Sequence, residues 1–310
     1  MAGAATAAPY RGSAAGKVIL LGEHAVVYGS PALVVGLDGG AEASVRAARA
    51  PELRLGAEQH SIARVPAADE PLTARAFRAL LAALGAPSVA AEATLAIPAG
   101  AGLGASAAIG VALARAVTAL MSASGAAQTT VASAALAWEN VFHGNASGVD
   151  TAAAEHGGCL AFRRGEPVRP VRPARPLELV IALVEAGAST RRMVEAVAQR
   201  RSAEPARIGS VLDGIAALVS SAESCIASGE QRELGRLMTH NHELLVQLGV
   251  STTRLDQAVH SALQRGALGA KLTGAGGGGC ALALVDAECR ASVVEAWRAL
   301  GFECWEKRAV

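Results

Sequence analysis

Apolar runs separated by short polar interruptions predict most of the strands in this chain. Strands are predicted over residues 17–21, 32–37, 89–97, 158–163, 178–184, 279–285 and 302–307. Charged and apolar residues alternate over 42–47, which is typical of a strand with one face in water. Residues 51–72 are polar and punctuated by proline, and they predict an excursion between the flanking elements.

Helical patterns occur in both halves of the chain. Helices are predicted over 73–84, 104–122, 128–142 and 287–300, with a largely helical region over 190–266 that has breaks near Pro205, Gly229 and Gly249. Ser147 and Asp150 have capping-box spacing, with Ser147 as the predicted N-cap of a further helix. Residues 163–176 hold five arginines and four prolines, which favours a stiff surface crossover over a basic ligand for a partner. Strands and helices alternate throughout, so we expect an α/β or α+β protein of two domains.

Composition narrows the class of protein. The 310 residues are 52% hydrophobic but only 3% aromatic, so the core is predicted to be built from Ala, Val and Leu. A net charge of +1 provides no long-range field for nucleic acid or an anionic membrane. Five cysteines without a C-x-x-C pair favour reduced thiols in a cytoplasmic protein over a zinc site.

Membrane and targeting segments are also disfavoured. The uncharged stretches 93–114 and 116–138 are long enough to span a bilayer. Pro98 and several glycines interrupt the first, and polar residues interrupt the second, so buried helices are the better interpretation. The residues before Lys17 contain no apolar segment, and no signal peptide is expected there.

The most informative segment is 97–110, where Gly100, Gly102 and Gly104 precede a helix-forming run. A glycine loop that opens a helix presents backbone N–H groups to an anion. Ser106, just after the loop, can bind a phosphate or ligate Mg²⁺. The segment therefore indicates a phosphate site, with a flexible turn before a buried helix as the alternative.

Several charged residues interrupt otherwise apolar stretches of the sequence. Glu139 and Asp150 lie in such a segment, and a buried carboxylate is costly unless it is paired or binds a metal. We expect both to face one site, one as a Mg²⁺ ligand and the other orienting or deprotonating a hydroxyl. A solvated helix face is the ordinary alternative. Lys17 precedes a predicted buried strand, for which a surface lysine is the ordinary interpretation. The polar Gly22-Glu23-His24 turn five residues later lies between two apolar runs, which favours a site instead.

Other nucleotide and hydrolase motifs are excluded by context. Gly16-Lys17-Val18 lacks the spacing and the hydroxyl residue of a P-loop, and no G-x-S-x-G elbow occurs. Gly274–Gly279 satisfies G-x-G-x-x-G, but a predicted strand follows where a dinucleotide fold requires a helix. We expect this glycine run to let another chain segment or a phosphate approach its backbone. The remaining parts, a phosphate loop, a Ser/Glu pair, an Asp and a Lys, predict phosphoryl transfer to an alcohol.

Three segments together resemble the GHMP small-molecule kinases. They are Lys17-Val-Ile-Leu-Leu-Gly-Glu-His-Ala-Val-Val-Tyr-Gly29, Pro98-Ala-Gly-Ala-Gly-Leu-Gly-Ala-Ser106 and Lys271-Leu-Thr-Gly-Ala-Gly-Gly-Gly-Gly-Cys280, and the likeness covers residues 14–306. Together with His143–Asp150 and Leu248-Gly-Val-Ser, they look most like the members that phosphorylate the C5 hydroxyl of mevalonate. The resemblance implies a two-domain α+β fold. Residues 1–176 would form a ribosomal-protein-like α/β domain that binds ATP and Mg²⁺, and 177–310 a ferredoxin-like domain that closes the active-site cleft.

The resemblance also implies site residues, ATP and Mg²⁺ as cofactors, and a cytoplasmic homodimer without nucleic-acid or membrane partners. Asp150 and Lys17 match the catalytic residues, and Ser106 and Glu139 match the metal ligands. The ATP-binding residues would be Gly100, Ala101, Gly102, Leu103, Gly104, Ala105 and Ser106. The substrate-side residues would be Glu23, His24, Thr190, Gly274 and Ala275.

Two positions depart from the family pattern. Ala105 stands where many members have a serine, and Ala146 where proline is common, which should loosen that turn. Ser106 remains, so metal binding is retained. The rival interpretations are a sibling kinase for phosphomevalonate, galactose or homoserine, and a non-catalytic ligand sensor. A sensor is disfavoured because Lys17, Glu139 and Asp150 are all present.

Overall fold

The computed structural model describes residues 8–56, 58–61, 70–124, 130–144 and 146–309, with the backbone alone for 58–61. The strands are β1 (Tyr10–Leu21), β2 (Ala32–Ala47), β3 (Glu52–Leu55), β4 (Glu58–Ser61), β5 (Val89–Leu95), β6 (Cys159–Phe162), β7 (Arg169–Pro170), β8 (Leu177–Glu185), β9 (Gly269–Thr273), β10 (Gly279–Val285) and β11 (Glu303–Ala309). The helices are α1 (Leu72–Leu84), α2 (Ala105–Ala123), α3 (Val131–His143), α4 (Val149–His156), α5 (Thr190–Ala203), α6 (Pro205–Ser228), α7 (Gln231–Gln247), α8 (Thr253–Gln264) and α9 (Arg290–Ala299), with a 3₁₀ turn at Ala25–Tyr28.

The chain forms two compact units. The first comprises Met1–Gly16, Asp38–Pro98 and Gly104–His156, and the second comprises Lys17–Leu37, Ala99–Leu103 and Gly157–Val310. Two boundaries fall inside β1 and β2, which pair with each other. The described strands form two sheets alongside the helices, which confirms the expected α+β class.

Helix α2 is the central helix of the first unit. The second half of β2 pairs antiparallel with β5, β3 runs parallel to β5, and β4 pairs antiparallel with β3. Helix α2 packs against α3, α4 and β5, and its Ala, Val and Leu side chains form much of the buried core. By length and composition, α2 and α6 are each apolar enough to cross a bilayer, a test that the core helix of a soluble protein also passes.

The second unit contains the ferredoxin-like arrangement that the resemblance implies. Strands β8 to β11 form an antiparallel sheet in the order β11-β8-β10-β9, with α5 to α8 between β8 and β9 and α9 between β10 and β11. The core lies between this sheet and its helices, and Trp297 is fully buried in it. In the same unit, the first half of β2 pairs with β6, and β6 pairs with β7.

Most predicted elements are confirmed, with corrections at four places. Strand β1 begins before the predicted 17–21 run, and the two runs predicted over 32–47 form one strand. The polar excursion over 51–72 contains β3 and β4, two strands that were not predicted. Strand β9 had no predicted bounds. Residues 128–129 of a predicted helix, and 1–7 of the segment searched for a leader, lie outside the described residues.

Candidate active site

The glycine loop ends in a helix, as predicted. Gly100, Gly102 and Gly104 have φ angles of 74°, 78° and 76°, a left-handed conformation that glycine adopts without steric cost. Gly104 is the N-cap of α2, and its carbonyl accepts the first helical hydrogen bond, from Ala108 N–H at 2.9 Å. The N–H groups of the first turn of α2 have no acceptor within the helix, so they can bind an anion.

Within the second unit, residues 99–103 lie against two other sequence motifs. Lys17 N–H donates to Leu103 O at 2.8 Å, which ties the loop to β1. A Cβ atom on Gly279 would lie 3.3 Å from Ala101 O, so the loop packs on the glycine run 274–279. The structure therefore brings together segments of all three motifs that carry the family resemblance.

The run 274–279 is a close-packed turn between β9 and β10. A Cβ atom on Gly276 would lie 2.2 Å from Val250 O, and one on Gly278 would lie 2.3 Å from Ala186 O. Both glycines also have positive φ. The prediction that this run admits another chain segment is confirmed, whereas its contact with a phosphate remains a prediction.

His24 is buried and holds an unusual backbone conformation. Its φ of 60° is the only positive value among the non-glycine residues that the structure describes. Nε2 lies 2.9 Å from Ala275 O, and because a carbonyl can only accept, Nε2 carries the proton. Burial lowers the pKa of His24, opposed by this hydrogen bond, while the charge of Arg200 lowers it further. The ring is therefore neutral at pH 7, with Nδ1 as an acceptor.

Glu23 takes part in a buried cluster that sequence reasoning missed. Lys271 Nζ contacts Glu23 Oε1, and Asn241 Nδ2 donates to Oε2 at 3.0 Å, so both carboxylate oxygens have protein partners. Burial lowers the pKa of Lys271, an effect that Glu23 opposes. Thr273 Oγ1 accepts from Ile19 N–H at 2.9 Å. These contacts join β1 to β9, and a lysine inside an apolar strand motif was the signal that could have identified them.

In the first unit, Ser106 and Glu139 come together as predicted. Ser106 Oγ donates to Glu139 Oε1 at 2.5 Å, and Glu139 is buried. His143 Nε2 lies 3.6 Å from Glu139 Oε2. A hydroxyl and a carboxylate offer the hard oxygen atoms that Mg²⁺ prefers, and Mg²⁺ commonly takes its remaining ligands from phosphates and water. The pair therefore fits a Mg²⁺ ion that is bound together with a nucleotide. In the described part of the chain, no group of three or more His, Cys, Asp or Glu side chains could hold a metal ion.

Asp150 is half-buried in the first turn of α4, where the helix dipole favours a negative charge. Ser147 Oγ accepts from Val149 N–H at 3.4 Å, and Gly148 O accepts from Ala152 N–H. The helix thus begins one residue later than the capping-box prediction, which placed the N-cap at Ser147. Ala146 N–H donates to Asn140 Oδ1 at 3.1 Å, a bond that proline could not make.

The other candidates are distributed between the units. Thr190 is exposed at the first position of α5, after the N-cap Ser189. Lys17 is almost fully buried on β1 in the second unit. The second unit thus holds Lys17, Glu23, His24, Gly100–Leu103, Thr190, Gly274 and Ala275, whereas the first holds Gly104, Ala105, Ser106, Glu139 and Asp150.

Family models match both halves of the chain. The model described as "GHMP kinases N terminal domain" matches residues 71–158, and that described as "GHMP kinases C terminal" matches residues 215–302. The first match contains Ser106, Glu139 and Asp150, and the second contains the run 274–279. The N-terminal model matches the first half of the chain and the C-terminal model matches the second half, which is the order that the sequence motifs predict.

Individual proteins show the same similarity over nearly the whole chain. The mevalonate kinase of Pyrococcus abyssi is 34% identical over 304 residues, covering 90% of this chain and 89% of the relative. The mevalonate kinase of Pyrococcus furiosus is 34% identical over 301 residues, covering 88% of each. Among solved structures, L. major mevalonate kinase in complex with R-mevalonate has a TM-score of 0.81 and 28% identity, covering 97% of this chain and 95% of that one.

Proposed function

Because this chain belongs to the GHMP kinase family, we propose that it is a mevalonate kinase. It transfers the γ-phosphoryl group of ATP to the C5 hydroxyl of mevalonate, giving 5-phosphomevalonate and ADP for isoprenoid biosynthesis. The observation that carries this proposal is the 34% identity to relatives of that activity across about nine-tenths of both chains. The retained Lys17, Ser106, Glu139 and Asp150 favour an active kinase over a ligand sensor.

Asp150 and Lys17 carry the catalytic roles. Asp150 orients the C5 hydroxyl and accepts its proton as the oxygen attacks the γ-phosphorus, since a positioned carboxylate can act as a general base. The ammonium group of Lys17 stabilises negative charge on the transferred phosphoryl group. Its burial on β1 supports this role, because an ammonium group in a water-poor site interacts more strongly with an anion.

The glycine loop and the start of α2 bind the phosphates of ATP. Backbone N–H groups from Gly100 to Ser106 supply the donors, and the positive end of the α2 dipole faces the phosphates. Ser106 and Glu139 hold Mg²⁺, which when bound neutralises charge on the ATP phosphates. The contact between the half-buried Ser106 hydroxyl and the buried Glu139 carboxylate in the first unit supports this assignment.

His24 is the strongest substrate-side residue. Its neutral ring presents an acceptor at Nδ1, which suits a hydroxyl group of mevalonate rather than its carboxylate. Thr190, Gly274 and Ala275 complete the substrate side, and Ala275 O fixes the His24 ring. Glu23 has both oxygens engaged by Lys271 and Asn241, so it serves the substrate by holding the turn that carries His24.

The remaining assignments follow the family. We propose an ATP- and Mg²⁺-binding domain over 1–176, a ferredoxin-like domain over 177–310 that closes over the substrates, and a cytoplasmic homodimer. The net charge of +1 supports partners that are neither nucleic acid nor anionic membrane. Size-exclusion chromatography with light scattering measures the dimer, and a monomer would contradict that part.

The test of function is an ADP-release assay of the purified chain with mevalonate, phosphomevalonate, galactose and homoserine, each with ATP and Mg²⁺. The expected result is a kcat/KM for mevalonate far above that for the other three. A preference for another alcohol would support the sibling-kinase alternative, and the absence of ADP release with all four would contradict the kinase. Phosphorus NMR of the product identifies the phosphorylated hydroxyl.

A further inference from the structure

Trp138 links the two residues to which the metal ion is assigned. Its Nε1–H donates to Ser106 Oγ at 3.2 Å, and Ser106 Oγ donates to Glu139 Oε1 at 2.5 Å. Trp138 and Glu139 are adjacent on α3, so one turn of a single helix supplies both partners of the serine hydroxyl.

These two bonds determine what Ser106 can offer a cation. A hydroxyl group has one hydrogen and two lone pairs. The hydrogen of Ser106 goes to Glu139 and one lone pair accepts from Trp138, so one lone pair remains. Without the indole donor, the hydroxyl would be held by Glu139 alone, and it could turn about its Cβ–Oγ bond at lower cost.

The indole is itself held in place. Trp138 is 1% exposed, and a Cβ atom on Gly110 would lie 2.8 Å from Trp138 Cδ1. The rings of Trp138 and Phe142 lie with their centroids 5.5 Å apart. Glycine at 110 and Phe142 therefore confine the indole, and a confined donor costs little further entropy when it orients its acceptor.

We propose that Trp138 is a positioning residue for the metal site, whose Nε1–H fixes the orientation of the Ser106 hydroxyl and keeps one lone pair of Ser106 available to Mg²⁺. This inference rests on the proposed role of Ser106 and Glu139 as metal ligands. Apolar packing alone would need only an aromatic ring at position 138, whereas the bond to Ser106 requires a ring that carries a donor.

The experiment separates the donor from the ring. One variant is Trp138→Phe, and a second carries 3-benzothienylalanine at 138, which has the shape of tryptophan with sulfur in place of N–H. The half-saturating Mg²⁺ is measured at fixed ATP, and Mn²⁺ affinity is measured by electron paramagnetic resonance with a non-hydrolysable ATP analogue. Losing one neutral hydrogen bond should raise the half-saturating Mg²⁺ and the Mn²⁺ dissociation constant, each about two- to tenfold, with a smaller change in kcat at saturating Mg²⁺.

Three controls make the outcomes distinguishable. Phe142→Leu loosens the packing of the indole without removing its donor, and it should weaken Mn²⁺ binding less than Trp138→Phe does. Ser106→Ala and Glu139→Gln test the ligands themselves, and each should weaken Mn²⁺ binding. If both ligand variants bind Mn²⁺ like the wild type, the metal assignment fails and the inference with it. If they weaken binding but the benzothienyl variant matches the wild type, the role of Trp138 alone is overturned.

Discussion

The ammonium group of Lys271 contacts the carboxylate of Glu23 at a point where neither side chain has any exposure to solvent. Asn241 donates to the other carboxylate oxygen at 3.0 Å, and Lys271 Nζ also donates to Leu272 O at 2.6 Å. Breaking a buried ion pair from one side leaves an uncompensated charge, and such losses cost about 3–5 kcal/mol. The pair therefore controls the stability of the turn that carries His24.

We expect Lys271→Met to lower the free energy of unfolding by about 3–5 kcal/mol. The double variant Glu23→Gln/Lys271→Met removes both charges and should recover much of that loss. Urea denaturation followed by circular dichroism measures both. The exposed pair Arg191–Glu195 provides the control, since Arg191→Met should change stability by less than about 1 kcal/mol. A double variant no more stable than the single one would contradict the ion-pair account.

Asp150→Asn should abolish turnover while ATP binding survives. Asparagine keeps the size of the side chain but cannot accept the proton of the C5 hydroxyl, and losing a general base typically costs about 10²–10⁴-fold in rate. ADP release measures kcat, and calorimetry with an ATP analogue measures binding. Glu155→Gln removes a different carboxylate from the same helix and should retain activity. Near-wild-type kcat in folded Asp150→Asn would remove the residue from its catalytic role.

The sequence predicts the elements well where apolar periodicity is strong. The breaks at Pro205, Gly229 and Gly249 separate α5, α6, α7 and α8 as expected, and β10 has the predicted bounds. The predicted lengths of β1 and β2 are too short because the glycines in these strands are typical of turns. A Cβ atom on Gly12 would lie 2.2 Å from Ala112 O, and one on Gly36 would lie 2.5 Å from Gly157 Cα. In both strands glycine serves close packing, which depends on distant residues.

The candidate site likewise contains one contact that the sequence predicts and others that it does not. The Ser106–Glu139 contact could be expected from residue types, because an isolated carboxylate in an apolar helix needs a partner. The partners of Glu23 could not, since Asn241 and Lys271 are 218 and 248 residues away along the chain. Local patterns carry no information on such pairing, and the substrate-side role of Glu23, which the family resemblance implies, stays a prediction.

His242 should make stability depend on pH. Its Nδ1 accepts from Leu272 N–H at 3.3 Å, and Nε2 lies 3.2 Å from Asp256 Oδ1. Burial lowers the pKa of His242 below 6.5, with Asp256 and Glu243 opposing this effect and Lys271 adding to it. The unfolded chain then binds more protons between the folded pKa and 6.5, so the free energy of unfolding decreases as the pH falls through that window.

The measurement is urea denaturation from about pH 7.5 to about pH 5. His242→Asn places an amide oxygen near the position of Nδ1 and does not titrate, so it should retain the bond to Leu272 N–H and reduce the pH dependence. His24, whose pKa is also lowered, contributes to the slope that remains. Equal slopes in the wild type and in His242→Asn would contradict the assignment.

The two ring nitrogens of His24 predict opposite results for two amide substitutions. Glutamine can place its amide nitrogen near Nε2 and donate to Ala275 O, but it offers nothing at the position of Nδ1. Asparagine can place its oxygen near Nδ1, and it tolerates the positive φ of this position, but it loses the bond to Ala275 O.

If Nδ1 accepts a hydroxyl of mevalonate, His24→Gln should raise KM for mevalonate by about two- to tenfold while KM for ATP stays constant. His24→Asn should keep KM for mevalonate closer to the wild type and lose stability instead. Steady-state kinetics with each substrate varied, together with urea denaturation, measure these quantities. A rise in KM for ATP equal to that for mevalonate, or an unchanged KM for mevalonate in folded His24→Gln, would show that His24 only supports the glycine run through Ala275.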